Sequence, residues 1–227
     1  LCSGLRRDDG RWLRSLLGGR ARHLALAADY AWLVEMFTRL GELTGEARWT
    51  TLATDTADQL LELFGPRPGD ATGALFTTGH DAEKLVARPI DVIDGAVPAA
   101  NSVAAGALLR LAALTGSERH REAGARILLA VAPLVEHSPL AMPDVLSGYA
   151  ISENPSEIVV AGDRPDLVAV VQRRWLPAAV LAWGERTESP LWADRADGAA
   201  YVCHRYTCSL PARDDGTLVS QLPEPGG

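Results

Sequence analysis

The chain has 227 residues, 47% of them hydrophobic and 22% charged, and its 29 acidic against 22 basic side chains give a net charge of -7. That composition is globular, and the acidic balance argues against a surface for nucleic acid or an anionic membrane. No run approaches the ~18 uninterrupted apolar residues of a membrane span, and three cysteines make no disulfide framework, so a reducing cytoplasm is the expected setting.

Residues 1 to 22 are mixed and basic, with Gly18 and Gly19 breaking any helix. The opening LCSGLRRDDGRW is too charged for a signal peptide and starts with Leu, so this segment reads as the ragged edge of a longer protein. The first strong helix is predicted over Ala27 to Thr44, where Tyr30, Leu33, Phe37 and Leu40 recur every three or four residues and Gly45 stops the run. A second spans Ala47 to Phe64, closed by Pro66 and Pro68. Ala74 to Thr78 and Leu85 to Val92 are partly β-branched and read as a small hairpin or extended arm. Further helices follow over Ala99 to Thr115, Glu118 to Glu136 and Pro143 to Ala150. Past Asn154 the pattern changes. Glu157 to Ala161, Pro177 to Trp183 and Ala199 to Cys203 read as strands, with a helix from Pro165 to Trp175 between the first two.

The segment L-x-x-L-T-G-x-x-R occurs at Leu40 to Arg48 and again at Leu111 to Arg119, an offset of 71 residues. Repeated helical hairpins imply a solenoid or toroid, and the long period suits an α/α toroid. The fold expected is mainly α: an incomplete (α/α)6 toroid over residues 1–153 with a small α/β tail over 154–227. The repeat sets Asp29, Tyr30 and Ala31 against Ala100, Asn101 and Ser102, so the heads of two equivalent helices would share one rim, where free N–H groups favour hydroxyl-rich or anionic partners.

The stretch Arg88 to Ser102 (RPIDVIDGAVPAANS) concentrates polar groups at the head of the third helix. Asp91 and Asp94 could act as acid and base on a sugar, or Asp94 could hold the turn at Gly95 while Asp91 pairs with Arg88. Asn101 and Ser102 could bind a polyol or cap the helix after Pro98. Asp29 and Tyr30 have the chemistry of a sugar-binding pair, or of an N-cap and a core ring. Trp32 and Trp49 offer aromatic surface, although such spacing is more often core. His80, with Asp81 and Glu83, could be a base or an exposed polar loop. Gly162-Asp163 is too little for a dinucleotide fingerprint. Cys203 and Cys208 have the wrong spacing for zinc, with His204 the one further ligand nearby, and could form a thiol pair if a turn joins them. No metal or cofactor is expected.

The order DYA, RP-x-D-x-x-DGA-x-P-x-x-NSVAA, EIVVAGD and AYVC-x-x-x-x-C-x-x-P, here Asp29 to Ala31, Arg88 to Ala105, Glu157 to Asp163 and Ala200 to Pro211, resembles the C-terminal region of the thioredoxin-domain-containing YyaL and spermatogenesis-associated protein 20 family. Ala99-Ala100 replaces the Ser-Gly usual there. The resemblance implies a thioredoxin-like domain followed by a toroid similar to N-acylglucosamine 2-epimerases and six-hairpin glycosidases. On that footing the missing partners are the N-terminal half of the ring and the redox domain, and a half ring with bare helix faces would self-associate. Two functions follow. One is a sugar-directed epimerase, isomerase or hydrolase-like activity, with Asp94 or Asp29 moving protons and Tyr30, Arg88, Asp91, Asn101 and Ser102 holding a carbohydrate. The other is a non-catalytic docking or ligand-sensing body serving the redox domain.

Overall fold

The computed structural model describes residues 2–153, 155–204 and 207–223. After a short turn of helix, α1 (Cys2–Leu5), the segment expected to be ragged forms a hairpin of β1 (Leu13–Leu17) and β2 (Arg20–Leu24), in which Leu17 pairs with Arg20. Gly18 and Gly19 do not merely break a helix. Their φ angles of 58° and 74° make the tight turn whose twist suits a two-residue hairpin. Just ahead of β1, Trp12 is buried against Phe37, which ties the hairpin to the core.

The helical body comprises α2 (Ala27–Thr44), α3 (Ala47–Phe64), α4 (Ala100–Thr115), α5 (Glu118–His137) and α6 (Pro143–Glu153). α4 is the centre: α2 and α6 flank it, α3 packs on α2 and α5 on α4. Its sequence explains that place. It carries small residues at Ala100, Ala104, Ala105 and Ala107, so neighbouring backbones come close, and it is buried nearly all round. α2 buries the stripe Tyr30, Val34 and Phe37 and leaves Trp32, Met36 and Leu43 exposed.

The two copies of the L-T-G corner adopt one geometry. Gly45 and Gly116 have φ of 70° and 73° and donate to the carbonyls of Gly41 and Ala112. Thr44 and Thr115 each bond the carbonyl four residues back at 2.8 Å and accept the next-but-one amide at 3.3 Å. Both corners abut the C-terminal unit: a Cβ on Gly45 would meet the Trp183 ring and one on Gly116 would meet Pro190.

The arm over residues 74–92 has no strand. It is extended and joined to itself by the Thr77 amide on the Pro89 carbonyl at 2.8 Å. After α6 come β3 (Ser156–Ala161), α7 (Pro165–Gln172), β4 (Ala179–Ala182), β5 (Ala199–His204), β6 (Thr207–Cys208) and α8 (Asp215–Gln221). The sheet order is β4-β3-β5-β6, with β3 and β4 parallel through α7 and the other pairs antiparallel. Ile158, Val160, Ala200 and Val202 pack toward α7 and α8, whereas Val159, Ala161, Ala199 and Tyr201 pack on Trp192. Among the described residues no helix is long and apolar enough to cross a membrane.

Candidate functional site

The polar residues at the heads of α2 and α4 are engaged in holding the fold. Asp29 accepts the Leu26 amide at 2.8 Å and lies 3.5 Å from Arg14. Tyr30 is fully buried; its hydroxyl accepts the Trp12 amide at 3.1 Å and donates to Gln59 at 3.2 Å. Asp94 accepts the Ala99 amide at 2.8 Å and the Asp144 amide at 2.9 Å, so one carboxylate caps α4 and α6 together. Asp91 accepts the Ala100 amide at 3.2 Å. These two aspartates supply the cap that Ala99 and Ala100 cannot.

Asn101 is wholly buried and satisfied: its oxygen accepts the Leu75 amide at 2.7 Å, and its nitrogen donates to the carbonyls of Leu75 at 3.0 Å and Asp91 at 2.8 Å. It pairs with the arm much as a strand would. The Ser102 hydroxyl is buried without a partner among the described residues. Arg88 lies over the Phe76 ring and donates to the Thr78 and Leu63 carbonyls, with His80 Nδ1 3.0 Å away. Burial holds the Arg88 guanidinium below its usual range. His80 also reaches the Gly65 carbonyl at 2.9 Å, and Asp81 receives Arg11 at 2.8 Å, so both are fasteners; Glu83 is exposed. The space beside Gly162 is filled by Asp197 and Gly198, leaving no phosphate cradle.

None of Asp29, Tyr30, Arg88, Asp91, Asp94, Asn101 and Ser102 lines the two main cavities or the two smaller hollows beside β4. These groups line none of those four hollows and, the Ser102 hydroxyl apart, are bonded within the fold. The physical reason is that the first turn of each helix is covered by the arm and the hairpin, so its polar side chains satisfy backbone amides instead of facing a hollow.

The cavity that the helices do form lies further along them. It encloses about 350 Å³ between α2, α4 and α6, under residues 174–177. α2 contributes Trp32, Glu35 and Arg39, one stripe at spacings of three and four; α4 contributes Gly106, Ala107 and Arg110; α6 contributes Asp144 and Ser147. Trp175 forms part of the roof and is 74% exposed, Trp32 is 42% exposed, and both present aromatic surface at the opening. The two carboxyls have opposite surroundings. Glu35 accepts Arg39 Nε at 2.7 Å. Asp144 makes no hydrogen bond or ion pair through its carboxyl among the described residues, and burial, then Asp94 and Glu35, push it above the usual aspartate range. Sequence reasoning passed over Glu35, Arg39 and Asp144. Trp32 lines the cavity, while Trp49 stacks on Phe37 against the core.

The second cavity, about 280 Å³, lies where the α4–α5 corner meets the sheet. Its polar residues include Arg195, Glu157 and the Cys203–Cys208 pair, joined as a disulfide across β5 and β6. Among the described residues no cluster of three or more His, Cys, Asp or Glu is placed to hold a metal.

No protein-family model matches the chain. The chain is similar to spermatogenesis-associated protein 20 from human (29% identical over 82% of this chain), rat (27%) and mouse (28%, each again over 82%). It spans about a quarter of the length of these curated relatives, 26% of the human protein.

Proposed function

We propose, from the similarity to spermatogenesis-associated protein 20 together with the α2/α4/α6 cavity, that the helical body is a sector of an (α/α) toroid that binds a carbohydrate and moves a proton on it. The observation that carries the reading is that Asp144 and Glu35 line one cavity together with Trp32 and Trp175. Tryptophan faces stack on the C–H faces of sugar rings, and Arg39, half-exposed on the same stripe, offers a donor to ring hydroxyls. A carboxyl whose pKa is raised, near one held by an arginine, is the arrangement by which acid and base roles are divided between two like groups. In this reading Asp144 donates the proton, and Glu35, fixed by Arg39, receives one or stabilises positive charge. The reaction class is epimerase-, isomerase- or hydrolase-like. The first helices of the two hairpins, α2 and α4, together with α6, are the inner helices of the ring, and a thioredoxin-like domain belongs to the longer protein.

The test is a panel of mono- and oligosaccharides, with binding followed by calorimetry and turnover by the anomeric proton signals. Trp32→Ala weakens a bound sugar by about tenfold, the equivalent of one stacking contact. Asp144→Asn abolishes turnover while leaving binding within a few fold. Turnover falls as pH rises through the raised range of Asp144. A panel with no ligand, or a ligand indifferent to both substitutions, rejects the reading and favours a docking body without chemistry of its own.

A further inference from the structure

We infer that Cys203 and Cys208 form a redox-active dithiol/disulfide centre, and that the cleft beside them admits a small thiol carrying a carboxylate. The pair lies directly across the β5–β6 ladder, and both residues line the 280 Å³ cleft. Cys203 is buried and Cys208 exposed. Three further features make this a built site.

Arg195 Nη2 lies 3.1 Å from the Cys208 sulfur and 3.4 Å from that of Cys203. Its guanidinium is fixed over the Tyr201 ring and by a bond from Nε to the Leu191 carbonyl at 3.3 Å, and it has no carboxylate partner among the described residues. A cation so placed meets the negative charge left on sulfur when the bond opens. It also leaves a vacant charge partner for an incoming carboxylate.

Glu157 is 8% exposed, lines the same cleft, and has no hydrogen bond or ion pair through its carboxyl among the described residues. It lies opposite Cys203 on β3, on the same face of the sheet, which brings the two side chains within neighbouring reach. Burial pushes its carboxyl above the ordinary glutamate range. A buried carboxyl without a partner costs stability. The rest of the wall is mixed: Leu109, Ile151 and Leu191 are apolar, Glu118 and Arg121 form an ion pair there, and the space of about 280 Å³ suits a small molecule.

The chemistry balances as a two-electron exchange. The thiolate of the small molecule attacks the exposed Cys208 sulfur, a mixed disulfide forms there, and the Cys203–Cys208 bond breaks with its electron pair going to Cys203. Glu157 gives that sulfur its proton and Arg195 holds the charge in the interval. A second small thiol then cleaves the mixed disulfide. The protein pair ends reduced and the two small thiols end as one disulfide. The reverse sequence oxidises the protein.

The experiment uses the whole chain with Cys2→Ser, so every thiol signal comes from the pair. Glutathione is the probe, and alkylation followed by mass spectrometry is the readout. Two thiols become alkylatable in the native chain in reduced glutathione. With Cys203→Ser, glutathione disulfide leaves one glutathione on Cys208. Arg195→Gln slows reduction by about tenfold or more, as expected for loss of one charge-assisted contact, and Arg195→Lys recovers part of the rate. Glu157→Gln flattens the pH dependence of the rate. Thiols that appear only after denaturation, reduction by dithiothreitol but not by glutathione, or an Arg195→Gln rate equal to the parent would each overturn the proposal.

Discussion

Glu42 on α2 and Arg110 on α4 meet at 3.3 Å, and each also hydrogen-bonds the backbone of the edge strand β4. Arg110 donates to the carbonyls of Ala179, at 2.5 Å, and Pro177, while Glu42 accepts the Leu181 amide at 3.0 Å. The Glu42 carbonyl also takes the Trp183 indole N–H at 2.7 Å. The open edge of β4 is thereby closed by an ion pair that belongs to the helices, which removes a strand edge from solvent and fixes the sheet against the body. Burial pushes the Glu42 carboxyl up while Arg110 and Arg39 pull it down, and burial pulls Arg110 below its usual range.

Removing either partner strands the other charge. Arg110→Leu or Glu42→Leu alone is expected to cost about 3–5 kcal/mol in urea unfolding. The double substitution should cost much less than the sum of the two, and the resulting coupling is the quantity to measure. Additive losses would show that the two residues act separately.

The corners at Gly45 and Gly116 make a second test of the same junction. Alanine at either carries about 1 kcal/mol for its positive φ. The added Cβ would lie 3.0 Å from the Trp183 ring at residue 45 but 2.5 Å from Pro190 at residue 116. Gly116→Ala should therefore lower the melting temperature more than Gly45→Ala, and Pro190→Ala should recover part of the Gly116→Ala loss.

Asp94 caps two helices, and its charge also helps hold the Asp144 carboxyl up. Asp94→Ala leaves the Ala99 and Asp144 amides uncapped and should cost about 1–2 kcal/mol. Asp94→Asn, whose amide oxygen still accepts one of them, should cost less. Neither should alter sugar affinity beyond its effect on the folded fraction, whereas Trp32→Ala should alter affinity with little loss of stability.

These expectations depend on information the sequence carried unevenly. The helices over Ala27–Thr44 and Ala47–Phe64 were readable to the residue because Gly45, Pro66 and an apolar stripe mark their ends, and the chain's two L-T-G copies share a geometry as they share a pattern. The β1–β2 hairpin was hidden because its strands, LRSLL and RARHL, are mostly solvent-facing and arginine-rich, so no apolar alternation announces them. The Gly18-Gly19 turn was the available signal. The site was less legible. Asp94 and Asn101 read equally as caps or as ligand groups, and only the arm folding back over them decides for caps. Glu35 and Arg39 look like a surface ion pair on one helix. Their cavity exists because α6 and residues 174–177 arrive from far along the chain, and no local pattern encodes that.

His120 supplies a pH dependence whose sign follows from its surroundings. The ring is 2% exposed, its Nε2 lies 3.0 Å from Asp58, and its Nδ1 has no partner among the described residues. Burial lowers its pKa, with Asp58 opposing. Unfolded histidine titrates near ~6.5, so below that pH the unfolded chain takes up a proton that the folded chain refuses. Stability contributed here is present above the unfolded value and is lost as pH falls toward the lowered folded value. Glu157 and Asp144, raised by burial, act in the opposite direction: above the ordinary carboxylate range, rising pH ionises them in the unfolded chain first and so lowers stability. The total curve mixes these contributions, but the difference between the parent and His120→Gln isolates one. That difference should narrow as pH is lowered from 7.5 through about 6, because the glutamine variant lacks the histidine's acid loss. A difference constant across that window would mean that the folded and unfolded chains bind the His120 proton equally.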